Sequence, residues 1–323
     1  MSVIWNVGLR RQFFAQRRLA WLVVSCLLLS GCAKIDFSSS KSAYEPTLTS
    51  WEPVQLAVVL GSGGVKGLAH VGVLEVLSAA GIEPDMIVGC SAGAIVGAMY
   101  AEGQSISAIK RKLGQSRKDD LLAISPATFP VSVYDGKKLS NYLEKMIHSR
   151  RFKQLRIPFA LVATNLQFGK ETIFNSGMLL PAVQASASIP GIYPPVIIGH
   201  QPFVDGAVSS PVPVHVAKKL GAQIVIAVDV SNNGPSHFET SPANLVGVMK
   251  RSLEISYIHS SKCSSSEADI VIKVPLQINT SFDDSHNEEI YQAGRRAALE
   301  ALPKVKTVLR KWLLSRMLHN SSP

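Results

Sequence analysis

Apolar positions along the chain alternate between short solid runs and longer stretches at helical spacing, and that alternation predicts the fold class. Val54–Leu60 is a β-branched apolar run stopped by Gly61, the mark of a strand buried on both faces. Val65–Ala80 places Leu68, Val71, Leu74 and Leu77 at helical spacing and ends before Gly81. The same two patterns recur downstream. Strands are predicted at Met86–Val88, Phe159–Leu166, Ile224–Val230 and Ile270–Val274, and helices over Ala92–Ala101, Val212–Leu220, Ala243–His259 and Glu288–Leu318. Strands alternating with helices predict an α/β domain, a mostly parallel sheet with helices on both faces.

The amino terminus follows a different pattern. Its apolar run, Leu19–Leu29, is far shorter than the about 20 residues that span a bilayer. Arg10, Arg11, Arg17 and Arg18 precede or flank it, with no acid. Together these features predict a secretory signal peptide over residues 1–31. Leu29-Ser30-Gly31-Cys32 resembles the lipobox of bacterial lipoproteins, which implies that Cys32 is lipidated and begins the mature chain. Arg10-Arg11-Gln12-Phe13-Phe14 also resembles a twin-arginine signal, so two export routes stay open. Residues 32–52 are polar and serine-rich and read as a flexible tether; residues 53–323 show no second linker or repeat and read as one domain. Ala33 after Cys32 resembles lipoproteins sorted to the outer membrane. The expected location is therefore the bacterial cell envelope, anchored on the periplasmic face of the outer membrane.

Composition changes this picture little. At 46% hydrophobic and 17% charged residues the chain folds. Its net charge of +10 falls to +6 once the four arginines of residues 1–31 are taken from 33 cations against 23 acids. That excess suits anionic lipid headgroups. No basic block with interleaved aromatics points to nucleic acid. Four cysteines are too few for a disulfide scaffold. With Cys26 in the signal and Cys32 lipidated, Cys90 and Cys263 remain, and their pairing is left open.

Candidate chemistry lies where predicted strands meet predicted helices. Gly61-Ser62-Gly63-Gly64-Val65-Lys66-Gly67 turns a strand into a helix, where glycines let backbone N–H groups converge on an anion, either a phosphate or a transient oxyanion. Lys66 precedes Gly67-Leu68, so the Walker pattern fails, and it stands where the dinucleotide fingerprint needs glycine. Gly89-Cys90-Ser91-Ala92-Gly93 lies in the same kind of junction, and Gly-x-Ser-x-Gly there reads as a nucleophile elbow. Asp205-Gly206-Ala207 alone is an ordinary turn. In company with Ser91, it offers a base for a serine nucleophile.

These three motifs, with Ser91 following Gly67 by 24 residues, together resemble the patatin-like phospholipase family. Ala185-Ser186-Ala187-Ser188-Ile189-Pro190, Pro190-Gly191-Ile192-Tyr193-Pro194-Pro195 and Gly221-Ala222 extend the resemblance, which spans residues 54–230. It implies a patatin-like three-layer sandwich and a serine acyl hydrolase acting through a Ser–Asp dyad. Ser91 would be the nucleophile, framed by Gly89 and Gly93, and Asp205 the base, framed by Gly206 and Ala207. The loop residues Gly63, Gly64, Val65, Lys66 and Gly67 would form the oxyanion hole, with Gly63, Gly64 and Val65 as donors. Ser62 departs from the family's common run of three glycines. The implied substrate is a phospholipid or lysophospholipid, with no metal or cofactor.

Two other readings remain. A Ser-His-Asp α/β-hydrolase would need a histidine after the acid, and His215, His237, His259, His286 and His319 all follow Asp205. A non-catalytic lipid-binding lipoprotein would keep the fold without the chemistry. His70 is expected to pack or cap. Leu121–Val133, apolar and punctuated by prolines, either flaps over an acyl site or covers the sheet. Over Glu288–Leu318 an apolar stripe from Ile290 to Trp312, with basic residues opposite, fits core packing or, less well, membrane contact, and Pro303 is able to begin a second helix.

Overall fold

The apolar run that opens the domain forms β1 (Leu56–Leu60), every residue of it buried. The computed structural model describes residues 43–51, 54–124, 128, 131–231, 245–276 and 286–320. The signal segment, Cys32 and His237 lie outside the described residues. Parallel neighbours of β1 are β2 (Met86–Cys90) and β7 (Ile224–Asp229); β3 (Phe159–Asn165) extends the sheet beyond β2, and β8 (Ile270–Lys273) beyond β7. Three antiparallel strands complete it: β4 (Lys170–Phe174), β5 (Val196–Ile198) and β6 (Gln201–Asp205). The order is β5-β6-β3-β2-β1-β7-β8, with β4 also on β3.

Side chains alternate across this sheet, and the two faces differ in what covers them. Leu56, Val58 and Leu60 belong to the larger core, with α1 (Gly67–Ala79), α2 (Ala92–Ala101) and α9 (Asn287–Asn320). Ala57 and Val59 face a smaller core built on α7 (Val214–Lys219) and on Tyr257 of α8 (Leu245–Ser264). The expected sandwich, helices on both faces of a mostly parallel sheet, is the fold found. Shorter helices fill the larger side: α3 (Ile106–Gly114), α4 (Lys118–Leu121), α5 (Gly136–Met146) and α6 (Leu179–Ser186).

Three features differ from expectation. The helix at the carboxyl end does not restart at Pro303 but runs through it. Pro303 is exposed, so the backbone bond it cannot make is lost on the solvent side, while Ala297, Ala298 and Val305 stay packed on the inner side. Part of the expected tether is docked: Tyr44 N–H donates to Gln201 Oε1 at 2.7 Å, and Thr49 and Asn175 exchange bonds of 2.9 and 2.7 Å. The Tyr44 ring lies edge-on to Phe203 at 6.1 Å. Third, β4, β5 and β6 are additional to the predicted strands: β4 and β6 open on polar residues, and β5, though apolar, is only three residues long. β5 and β6 are joined by a two-residue turn in which Gly199 and His200 both have positive φ (57° and 63°), the geometry of a type I′ hairpin without its usual Asn-Gly.

Candidate active site

Strand β2 delivers Ser91 at the start of α2 with φ 52° and ψ −117°, a backbone conformation that a non-glycine residue adopts only under constraint. The constraint is crowding. A Cβ on Gly93 would fall on the Leu60 carbonyl, and one on Gly89 would fall on the α2 backbone. The Ser91 N–H donates to Ser186 Oγ at 2.9 Å, from the last turn of α6. Ser91 is buried, and its Oγ opens on a cavity.

The register of β3 brings the aspartate to it. β4 pairs along β3 from Leu161 to Asn165, so β2 and β6 must share the opposite edge. β2 ends there with Cys90 opposite Val162, and β6 runs in from the other direction to place Asp205 opposite Ala163. The two strand ends therefore meet. Ser91 Oγ donates to Asp205 Oδ2 at 2.7 Å, and Ala207 N–H donates to Oδ1 at 2.9 Å. A Cβ on Gly206 would strike the Val162 carbonyl. The Asp205 backbone is held by the Ser188 carbonyl and by Thr164 Oγ1, each at 2.9 Å. Burial pushes the Asp205 carboxyl up to about 7, against the opposing pull of its bonds from Ser91 and Ala207.

The Gly-rich loop closes a third side. Gly61 N–H reaches the Val228 carbonyl at 3.0 Å and Ser62 N–H the Pro211 carbonyl at 2.9 Å. His70 Nε2 bonds the Gly61 carbonyl at 2.7 Å. Burial lowers the His70 imidazole to about 4, so it is neutral and Nε2 carries the donated hydrogen. After Gly64, at φ 60°, the chain makes one tight helical turn, Gly64–Lys66, and enters α1. Two N–H groups of the loop are used within it. Lys66 N–H donates to the Gly63 carbonyl and Gly67 N–H to the Gly64 carbonyl, so those two are spent inside the turn. The first N–H groups of a helical turn have no acceptor within it, and of the three expected donors Gly64 and Val65 line the cavity beside Ser91.

Between loop and serine lies a cavity of about 120 Å³. Its walls are apolar (Leu68, Ile95, Val96, Leu139 and Ile189 among them), with Ser116, Arg117 and Asn287 its polar members away from Ser91. Leu121 lines it too, so that part of the Leu121–Val133 stretch borders the cavity rather than the sheet. Cys90 is buried and Cys263 exposed, and both are free. Burial holds the Cys90 thiol well above its usual range, and Ser62, the departure in the loop, hydrogen-bonds it beneath the elbow.

Neither Asp205 oxygen has an imidazole partner among the described residues. His215 pairs with Glu171 at 2.9 Å, and His286 with Glu289 at 3.0 Å. A hydroxyl bonded directly to a buried carboxylate, beside unspent N–H groups and an apolar cavity, is equipped for acyl transfer.

Residues 58–218 match the sequence profile described as patatin-like phospholipase. The chain belongs to this family. A patatin-like phospholipase domain-containing protein 6 from Mus musculus is 31% identical over 199 residues, covering 59% of this chain and 15% of the relative. An NTE family protein from Mycobacterium tuberculosis is 30% identical over 184 residues, covering 56% of this chain and 51% of the relative. The chain thus spans about half, or much less, of the length of these curated relatives. The crystal structure of VipD from Legionella pneumophila shares the fold, with a TM-score of 0.52 at 12% identity over 84% of this chain and 72% of that one.

Beyond the patatin-like motifs, the site depends on residues whose partners the sequence did not specify. Ser186, Ser188 and Thr164 brace the serine and the aspartate, and His70 braces the loop. The signal for the first two was the Ala185–Pro190 segment, which carried the resemblance without saying what its hydroxyl and carbonyl bind.

Proposed function

We propose that the chain is a serine acyl hydrolase that cleaves fatty-acyl esters of phospholipids or lysophospholipids. The carrying observation is the 2.7 Å bond from Ser91 Oγ to Asp205 Oδ2 at the end of an apolar cavity. Asp205 takes the Ser91 proton as Oγ attacks the ester carbonyl carbon. The N–H groups of Gly63, Gly64 and Val65 hold the resulting oxyanion, and one such donor contributes about 3 kcal/mol to the transition state. Collapse of the intermediate expels the alcohol, which leaves with the proton from Asp205. Water, deprotonated by the same carboxylate, then attacks the acyl-enzyme; the bond from Ser91 Oγ to the acyl carbon breaks, Oγ takes the proton back from Asp205, and the fatty acid departs. A base whose pKa lies near 7 suits both halves of this cycle. The mostly apolar walls suit an acyl chain.

Replacing Ser91 tests the reading. Ser91→Ala abolishes hydrolysis of short p-nitrophenyl esters and labelling by a fluorophosphonate probe, while circular dichroism and melting stay close to the parent's. Mass spectrometry of products from a phospholipid and lysophospholipid panel then identifies the substrate. Full labelling of Ser91→Ala would overturn the assignment.

The same reading puts the enzyme in the bacterial envelope, held by a lipid on Cys32. Support comes from Leu29-Ser30-Gly31-Cys32 and from the docking of residues 43–51 on the domain. Dual or triple acylation gives lasting attachment where one chain does not. Cys32→Ser moves the protein from the membrane to the soluble fraction in a high-salt wash, which the acylated parent resists, and leaves soluble-ester turnover unchanged. A native mature mass without acyl chains rules the anchor out.

A further inference from the structure

The outer end of α9 carries a surface that the acyl-transfer chemistry does not use. Leu313 and Leu314 are each 53% exposed, Met317 is 68% exposed and Leu318 70%. Just before them the same helix presents Lys304, Lys306, Arg310 and Lys311, all exposed. Residues 301–320 contain no acid at all. Behind the tip, Trp312 is held against the domain by its indole N–H bond to Gln223 Oε1 at 3.2 Å, and Arg316 lies over its ring at 5.1 Å. The tip is thus a rigid extension of the fold. At 1.5 Å per residue, Lys306 lies about 10 Å along the axis before Leu313, and Arg310 the same distance before Met317.

We propose that the carboxyl-terminal end of α9 docks on an anionic lipid surface. The chemistry is complementary in two respects. Leucine and methionine side chains enter the boundary between headgroups and acyl chains, and a band of cations one to two turns behind meets the phosphates. No helix among the described residues is long and apolar enough to cross a membrane, so the contact is with the surface. The opposite end of the same helix, Asn287, lines the acyl cavity, about 40 Å away along the axis. The tip therefore holds the domain at a membrane without touching the catalytic machinery. This attachment is independent of Cys32.

The test uses the full chain in a Cys32→Ser background and vesicles of phosphatidylcholine alone or with 30% phosphatidylglycerol. Sedimentation is expected to show binding that rises with the anionic fraction and falls with salt. Leu313→Ser with Met317→Ser, and separately Lys306→Glu with Arg310→Glu, each weaken that binding more than about tenfold. Both pairs lie on the exposed side of the helix, so melting temperature and p-nitrophenyl ester turnover stay at the background values. Anionic-vesicle binding that neither pair reduces overturns the proposal and puts the contact elsewhere in the chain. A dimer, seen by light scattering and dissolved by Leu313→Ser with Met317→Ser, overturns it too, because a second copy then covers the face.

Discussion

Ser91 and Asp205 reach one another from halves of the sheet that are built differently. On one side, β1, β2 and β7 are parallel, buried along their whole length and linked through helices. On the other, β4, β5 and β6 are antiparallel; β4 begins exposed, and all of β5 is at least partly so. The parallel half turns strand into helix at its carboxyl edge, and those turns supply the serine and the loop N–H groups from consecutive residues. The antiparallel half supplies the aspartate, which depends on a register with β3. A slip of one residue in β6 would turn Asp205 to the other face of the sheet. Chemistry that needs a turn is thus carried locally, and chemistry that needs an edge is carried by pairing at a distance.

The sharpest way to break this comparison is to remove the contribution of the antiparallel half. Asp205→Asn lowers kcat for p-nitrophenyl esters about 10³- to 10⁴-fold, and the double variant with Ser91→Ala is no slower than Ser91→Ala alone, since the two residues act as one unit. Removing the aspartate also strengthens the fold. The Asp205 carboxyl is raised from a usual value near 3.9 to about 7, so its stabilising contribution is complete below about pH 4 and is lost as pH rises towards 7. Thermal melts should therefore show Asp205→Asn more stable than the parent at pH 8, with the gap closing at acid pH. Activity of the parent runs the other way, rising with pH to a plateau above about 7, because the base must be ionised. A flat pH–rate profile between pH 5 and 8 would remove Asp205 from the role of base.

A smaller loss is expected from the parallel half's loop. At Gly64 φ is 60°, where a β-branched side chain is strained. Gly64→Val re-aims the loop N–H groups and costs about 10²-fold in kcat, in proportion to one oxyanion donor, with little change in KM. Equal loss in kcat and melting temperature would make the loop only a structural turn.

The smallest effect belongs to the contact that ties the halves together. Ser186→Ala leaves the buried Ser91 N–H without its acceptor, a defect of about 1–3 kcal/mol. Since that N–H belongs to the strained residue, turnover is expected to fall about tenfold with KM unchanged, and Ser186→Thr to restore part of it. Stopped-flow measurement of the acylation step checks where the loss falls.

Much of this arrangement was legible in the residues themselves. Val54–Leu60 and Ile224–Val230 are apolar because both faces of a parallel strand are buried, and Gly61–Gly67 and Gly89–Gly93 are glycine-rich because the backbone there is crowded. Such causes act over a few residues and leave a mark at the same place. β6 left no such mark: Gln201-Pro202 opens it, and its partners on β3 are about 40 residues away. Nor could the apolar stripe of α9 show whether Pro303 would end it, because only packing on α1 and the sheet decides whether a lost backbone bond is tolerable. By itself the sequence determined the two glycine-rich strand-to-helix turns, since those are local steric problems that glycine solves. The meeting of Asp205 with Ser91 and the docking of residues 43–51 were decided by the tertiary structure. Each depends on which groups a distant strand or turn has already taken as partners.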